Sequence, residues 1–274
     1  MKNIIDLVTP FDFENKIDYK ELSNIIDDFI VNKVDGIVVL GECSECDSLS
    51  IDEKKKLVDF VVKYVEKKMR IYLSLKGNIE EIVFMDSLFE NKDFEAYIIN
   101  VDKWNERGII SFYNYISDKL NTKIIVSSNL DLSLEIISYL SYKKNIVGFV
   151  VSSNDFNYLV KVSNLKRDNF SIYLNNDCLI LAGIYLNVEG IINVIGNAYP
   201  DIITKIGLDF DYQNQMKEFL QYERLIRVIL AESIPSGLKY LMKIKDGRSE
   251  KTRLPLGSCK QEFKRKIEEH YLIL

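Results

Sequence analysis

Eight short apolar runs, at 4–8, 36–40, 71–75, 96–100, 123–127, 146–151, 171–174 and 190–194, are the feature that most constrains this chain. Each is nearly continuous in Ile, Val, Leu and Tyr, as expected of parallel strands buried on both faces. Amphipathic stretches lie between them. Residues 19–32 set Leu22, Ile25, Ile26, Phe29 and Ile30 on one helical face, and 52–67 do the same with Leu57, Phe60, Val61, Tyr64 and Val65. The helix starts carry their own signals. Ser50 with Glu53 three residues on forms a capping box, and Asp18 caps the helix from Tyr19, with Glu21 in the matching place. Periodicity alone also fits an open doubly wound sheet, but eight strand–helix repeats favour an α/β fold closed as a (β/α)8 TIM barrel.

The strand pattern stops near Gly207, and helical periodicity takes over at 212–231, 235–244 and 261–271. The expected organisation is therefore a barrel over 1–206 and a C-terminal helical extension over 207–274, packed together as one structural unit. At 274 residues and 47% apolar content, a single barrel with a large core is within reach. Charged residues are 28% of the chain, well mixed, with a net charge of −5, which argues against a nucleic-acid partner. No apolar run approaches the roughly 20 residues of a membrane span. The N-terminus meets Asp6 and Pro10 too early for a signal peptide. Cysteines at 43, 46, 178 and 259 are too few for a disulfide scaffold in a chain this long, so the reducing cytoplasm is the expected compartment.

Several segments, in order, resemble the dihydrodipicolinate synthase and N-acetylneuraminate lyase family. Leu7-Val8-Thr9-Pro10-Phe11-Asp12 resembles its strand-1 signature, and the segment from Asp35 through Gly41 to Glu45 resembles its strand-2 segment and Gly-Thr-Thr-Gly-Glu loop. Asn145-Ile146-Val147-Gly148 resembles the lead-in to strand 6, and Gly190 to Asn197 resembles strand 8. Ile234-Pro235-Ser236-Gly237-Leu238-Lys239 and Arg253-Leu254-Pro255-Leu256 resemble two marks of the C-terminal extension. The resemblance implies a class I aldolase barrel, commonly a tetramer built from dimers, in which a strand-6 lysine forms a Schiff base with a 2-oxo acid such as pyruvate.

The residues that would carry that chemistry are replaced. The resemblance places the lysine at Val150 and the strand-5 tyrosine at Val126, or at Ser127 with a slip of one. The paired threonines become Glu42 and Cys43, the tyrosine pair after strand 4 becomes Lys103-Trp104, and the carboxylate-collecting arginine falls at or beside Asp131. A keto-acid carboxylate would meet like charge at Glu42 and Asp131.

Function in such a barrel sits at the C-terminal strand ends. The expected ligand pocket comprises Thr9, Gly41, Glu42, Cys43, Ser44, Trp104, Ser127, Ser152, Asn175 and Asn197, a lining suited to a small polar metabolite. Lys76 and Lys103 are the candidates for a relocated nucleophile, each set against the reading of a solvated loop lysine. Cys43 and Cys46 are spaced like metal ligands, but they have no second pair, and His270 is the only histidine. The expectation is no metal and no cofactor, with the 42–47 carboxylates facing solvent or capping the second helix. Trp104 stands where the family places an aromatic that reaches a neighbouring subunit's site, which implies an interface or pocket-lid residue, the alternative being local packing. The family resemblance implies a homo-oligomer, and a partner role a hetero-oligomer with a relative. Two functions follow: a barrel without Schiff-base activity that binds a small polar metabolite or an active relative, and a lyase acting on a 2-oxo acid through Lys76 or Lys103.

Overall fold

The computed structural model describes the chain except for residues 91, 102–104 and 209–210. Eight strands are formed by the described residues: β1 Lys2–Asp6, β2 Gly36–Val39, β3 Arg70–Leu75, β4 Ala96–Val101, β5 Ile124–Ser128, β6 Ile146–Val151, β7 Ser171–Leu174 and β8 Gly190–Asn193. Their order closes on itself as a barrel from β1 to β8. The apolar runs thus mark the strands to within one or two residues. The largest shift is at β1, which begins and ends two residues before the run at 4–8, although the Leu7 amide still bonds Val38 O.

Helices α1 Tyr19–Val31, α2 Ile51–Val65, α3 Ile79–Leu88, α4 Glu106–Lys119, α5 Leu134–Leu140, α6 Phe156–Ser163, α7 Ile180–Tyr185 and α8 Ile202–Leu208 follow the strands in turn. Then come α9 Tyr212–Ala231, α10 Ile234–Asp246 and α11 Gln261–Tyr271. The Ser50–Glu53 capping box forms at α2. Asp18 caps α1 by accepting from the amides of Lys20 and Glu21, but Glu21 does not return to the cap. Its carboxylate instead accepts from the Ser249 amide.

The chain gathers into two compact units, one of Met1–Lys2 with Arg70–Ile192, the other of Asn3–Met69 with Asn193–Leu274. The first holds β3 to β7 in parallel register, with most of β8. Tyr113 of α4, fully buried, pins two of its strands by donating to Ile99 O (2.6 Å) and Ser127 O (3.2 Å). At its strand starts, Glu95 and Glu189 pair with Arg70, Lys123, Lys2 and Lys166. In the second unit β1 pairs with β2, and α9, α10 and α11 pack on one another. There α10 also packs on the short helical turn Glu42–Ser44 that follows β2.

Candidate functional site

In the first unit, strand parity decides which side chains turn inward. A Cβ on Gly183 of α7 would lie 2.8 Å from Leu174 and 3.3 Å from Ile191, so those two face the helix layer. Tyr173, one residue earlier, therefore faces inward. A Cβ on Gly148 would meet the Tyr173 ring at 3.0 Å, so Gly148 and, two residues on, Val150 share that inner face. Val150 is in register with Ser127 on β5 and Tyr173 on β7, whereas Val126 is in register with Phe149 and turns outward. The inward position beside Val150 is thus Ser127, the residue that a slip of one gives to the strand-5 tyrosine place.

This inner row holds an isopropyl group, a primary hydroxyl and a phenol. Val150 is 1% exposed. The Tyr173 ring meets Tyr72 at 6.3 Å and 70°, and burial pushes the Tyr173 phenol up to about 12, so it keeps its proton at neutral pH. An iminium needs an amine nitrogen at this place, and these side chains offer none. Beyond the strands, Asp131 accepts from the Ser153 hydroxyl at 2.9 Å, and Asn176 donates to Ser153 O at 3.0 Å. Ser152 and Asn175 lie half-buried beside them. Asp131 is thus built into a hydrogen-bonded network.

In the second unit the ends of β1 and β2 hold a carboxylate that the sequence reading passed over. Asp6 is 4% exposed, and its Oδ2 accepts from the Cys43 amide at 3.3 Å. A Cβ on Gly41 would lie 2.1 Å from Asp6 Oδ1, which is why that position is glycine. The signal was available, because an acid interrupts an otherwise apolar strand run. Thr9, Cys43 and Ser44 are buried, Ser44 donating to Gly41 O at 2.7 Å, while Glu42 is exposed. Asn197 is 1% exposed and its side chain is used structurally: Nδ2 donates to Asp6 O (2.7 Å) and Oδ1 accepts from Val8 N (3.0 Å). The expected pocket residues of this unit therefore divide, Glu42 facing solvent and the others packed inside.

The loop after β2 also departs from expectation. Glu45 does not face solvent. Its Oε1 accepts from Lys239 Nζ at 2.5 Å and its Oε2 from the Arg253 amide at 2.8 Å. Lys239, 1% exposed, also donates to Lys251 O at 2.8 Å and lies 4.3 Å from the centre of the Phe11 ring. On the same ring, at 4.3 Å, sits the Arg253 guanidinium, which clamps Glu53 bidentately at 2.7 and 3.0 Å. Phe11, Glu45, Lys239 and Arg253 stand in four separate segments of the sequence, and here they form one buried charged cluster. Desolvation pulls the Lys239 ammonium below the usual lysine range, against the pull of Glu45. A lysine of that kind is chemically a candidate nucleophile, but here it is sealed by its partners.

With this geometry in view, the model of the dihydrodipicolinate synthetase family matches residues 1–271. The chain belongs to that family. It is 29% identical over 99% of its length to a 4-hydroxy-tetrahydrodipicolinate synthase of Karelsulcia muelleri, covering 98% of that protein. To the synthase of Brachyspira hyodysenteriae it is 26% identical, over 96% of this chain and 94% of the relative. Among solved structures, the dihydrodipicolinate synthase of Aquifex aeolicus superposes with a TM-score of 0.89 at 23% identity, covering 98% of this chain and 96% of that one. A Clostridium difficile protein solved in complex with mannosamine gives 0.86 at 24%, over 98% and 97%. At these identities the structural likeness establishes the fold.

In this dihydrodipicolinate synthetase family member, Lys76 is exposed beyond the end of β3. Lys103 and Trp104 lie outside the described residues. No helix among the described residues is long and apolar enough to cross a membrane.

Proposed function

We propose that this family member has lost Schiff-base aldolase activity and serves as a binding protein for a small polar metabolite, either as a homo-oligomer or as a partner subunit of an active relative in the cytoplasm. The observation that carries the reading is the inner row Ser127, Val150 and Tyr173, which holds a hydrocarbon at the position that the family resemblance gives to the amine. The hydrogen-bonded Asp131 supports it, since its carboxylate would repel that of a keto acid. Polar side chains remain at the strand ends of the first unit to hold a neutral or cationic ligand: Ser127, Ser152, Asn175 and Asn176.

A second reading, a lyase acting on a 2-oxo acid through Lys76 or Lys103, draws on the relatives named as synthases that match nearly the whole chain. Proton exchange at the pyruvate methyl group separates the two, because an enamine at any lysine exchanges those protons. In D2O, followed by proton NMR, the chain is expected to leave the methyl signal decaying at the buffer rate. Catalysed exchange would overturn the proposal.

A further inference from the structure

A separate hollow of about 460 Å³ lies wholly within the second unit, between the C-terminal turns of α1, the segment after β8, and the end of α10. Its volume falls in the range of small-molecule pockets. Three cations, Lys205, Lys245 and Arg248, and three carboxylates, Asp28, Asp201 and Asp246, line it. We propose that this hollow binds a small zwitterion carrying one carboxylate and one ammonium group, as a free amino acid does.

The charge balance selects that class. The six charges pair among themselves, Arg248 with Asp28, Lys205 with Asp201 and Lys245 with Asp246. A ligand that carries both signs can exchange with one such pair and leave no net charge, whereas a phosphate would face three carboxylates and a polyamine three cations. Arg248 is the fixed element, its side chain 12% exposed, held by Asp28 and donating to Asn197 O at 3.5 Å. Its planar fork suits a carboxylate. The facing pairs exchange readily: Asp28 is 54% exposed, Lys205 is 49% exposed, and Lys205 meets Asp201 at 2.9 Å across one helical turn. Solvent-exposed pairs of this kind contribute little, so a ligand's charges can replace one partner at small cost. Tyr199 and Tyr222, ring centroids 5.1 Å apart at 69°, give an apolar wall for the ligand's side chain. The wall also reaches β1, because the Asn197 whose carbonyl meets Arg248 holds Asp6 O and Val8 N through its amide. An occupant that steadies Arg248 therefore steadies the end of β1.

The test is calorimetry on the full chain with the twenty free L-amino acids, inorganic phosphate and spermidine as probes. At least one amino acid is expected to bind with Kd below about 1 mM, and its amide and N-acetyl forms at least about tenfold more weakly. Arg248→Gln and, independently, Lys245→Gln should each weaken binding by about tenfold, and the bound ligand should slow hydrogen exchange at the Val8 amide. No binding by any amino acid up to about 10 mM overturns the proposal. So does tighter binding of phosphate or spermidine, or binding that both variants leave unchanged.

Discussion

Replacing Lys239 with Met should be the most damaging single change in the segments of the C-terminal extension that carry the family resemblance. Lys239 and the Glu45 side chain are 1% and 2% exposed, and the ammonium bonds Glu45 Oε1 at 2.5 Å. The thioether chain fills most of the lysine volume, so the loss is chiefly the charge left behind. A buried carboxylate deprived of its cation costs about 3–5 kcal/mol, a large share of a stability of about 5–15 kcal/mol. For a chain of this size that corresponds to a fall in melting temperature on the order of 10 °C. Glu45→Gln alone leaves the mirror defect, a buried ammonium, although Gln can still accept from the Arg253 amide. The double variant Glu45→Gln with Lys239→Met carries no buried charge at this place and should recover at least about 2 kcal/mol of the summed single losses. Thermal melts by circular dichroism on the four proteins complete the cycle. Single losses below about 1 kcal/mol, or effects additive within about 0.5 kcal/mol, would show that the pair does not hold the second unit together.

Three further outcomes follow from the same geometry. Glu53 is held down to about 2 by the Arg253 guanidinium, below its unfolded value, so its contribution is present above about pH 4.5 and is lost as pH falls through 2. Glu53→Gln should therefore lower the melting temperature at pH 6, and the gap to the parent should close towards pH 2. Gly148→Ala sets a methyl group 2.7 Å from Ser171 O and 3.0 Å from the Tyr173 ring, and should destabilise by about 1–3 kcal/mol in a urea titration; a neutral result would contradict the inward packing of Tyr173. Ser50→Ala removes the oxygen that accepts from Glu53 N at 3.2 Å and should lower stability by about 1 kcal/mol in the same titration, an unchanged midpoint counting against the capping box.

The strands and helix caps were legible because they depend on neighbours a few residues apart. The apolar runs at 146–151 and 171–174 coincide with β6 and β7, and Ser50 with Glu53 reads directly as a cap. What depends on register was not. Val126 and Ser127 are equivalent on paper, and the pairing of β5 with β6, which carries an irregularity at Ile124/Ile125, sets which of them turns inward. What depends on distant partners was hidden too: Glu45 and Lys239 stand 194 positions apart, so Glu45 reads as one more solvated loop acid. The segments that carry the family resemblance near Phe11, Glu45, Lys239 and Arg253 turn out to build a buried ionic cluster. Resemblance at those positions therefore reports on the scaffold. The proposed loss of chemistry concerns instead β5 and β6, where the resemblance sets Val126 or Ser127 and Val150.

Borohydride reduction in the presence of pyruvate, followed by intact-protein mass, tests the central claim most directly, because it makes any imine permanent wherever its lysine lies. The chain is expected to keep its unmodified mass with pyruvate and with other 2-oxo acids. A reduced adduct that peptide mapping assigns to Lys76, Lys103 or Lys239 would contradict the loss of Schiff-base chemistry.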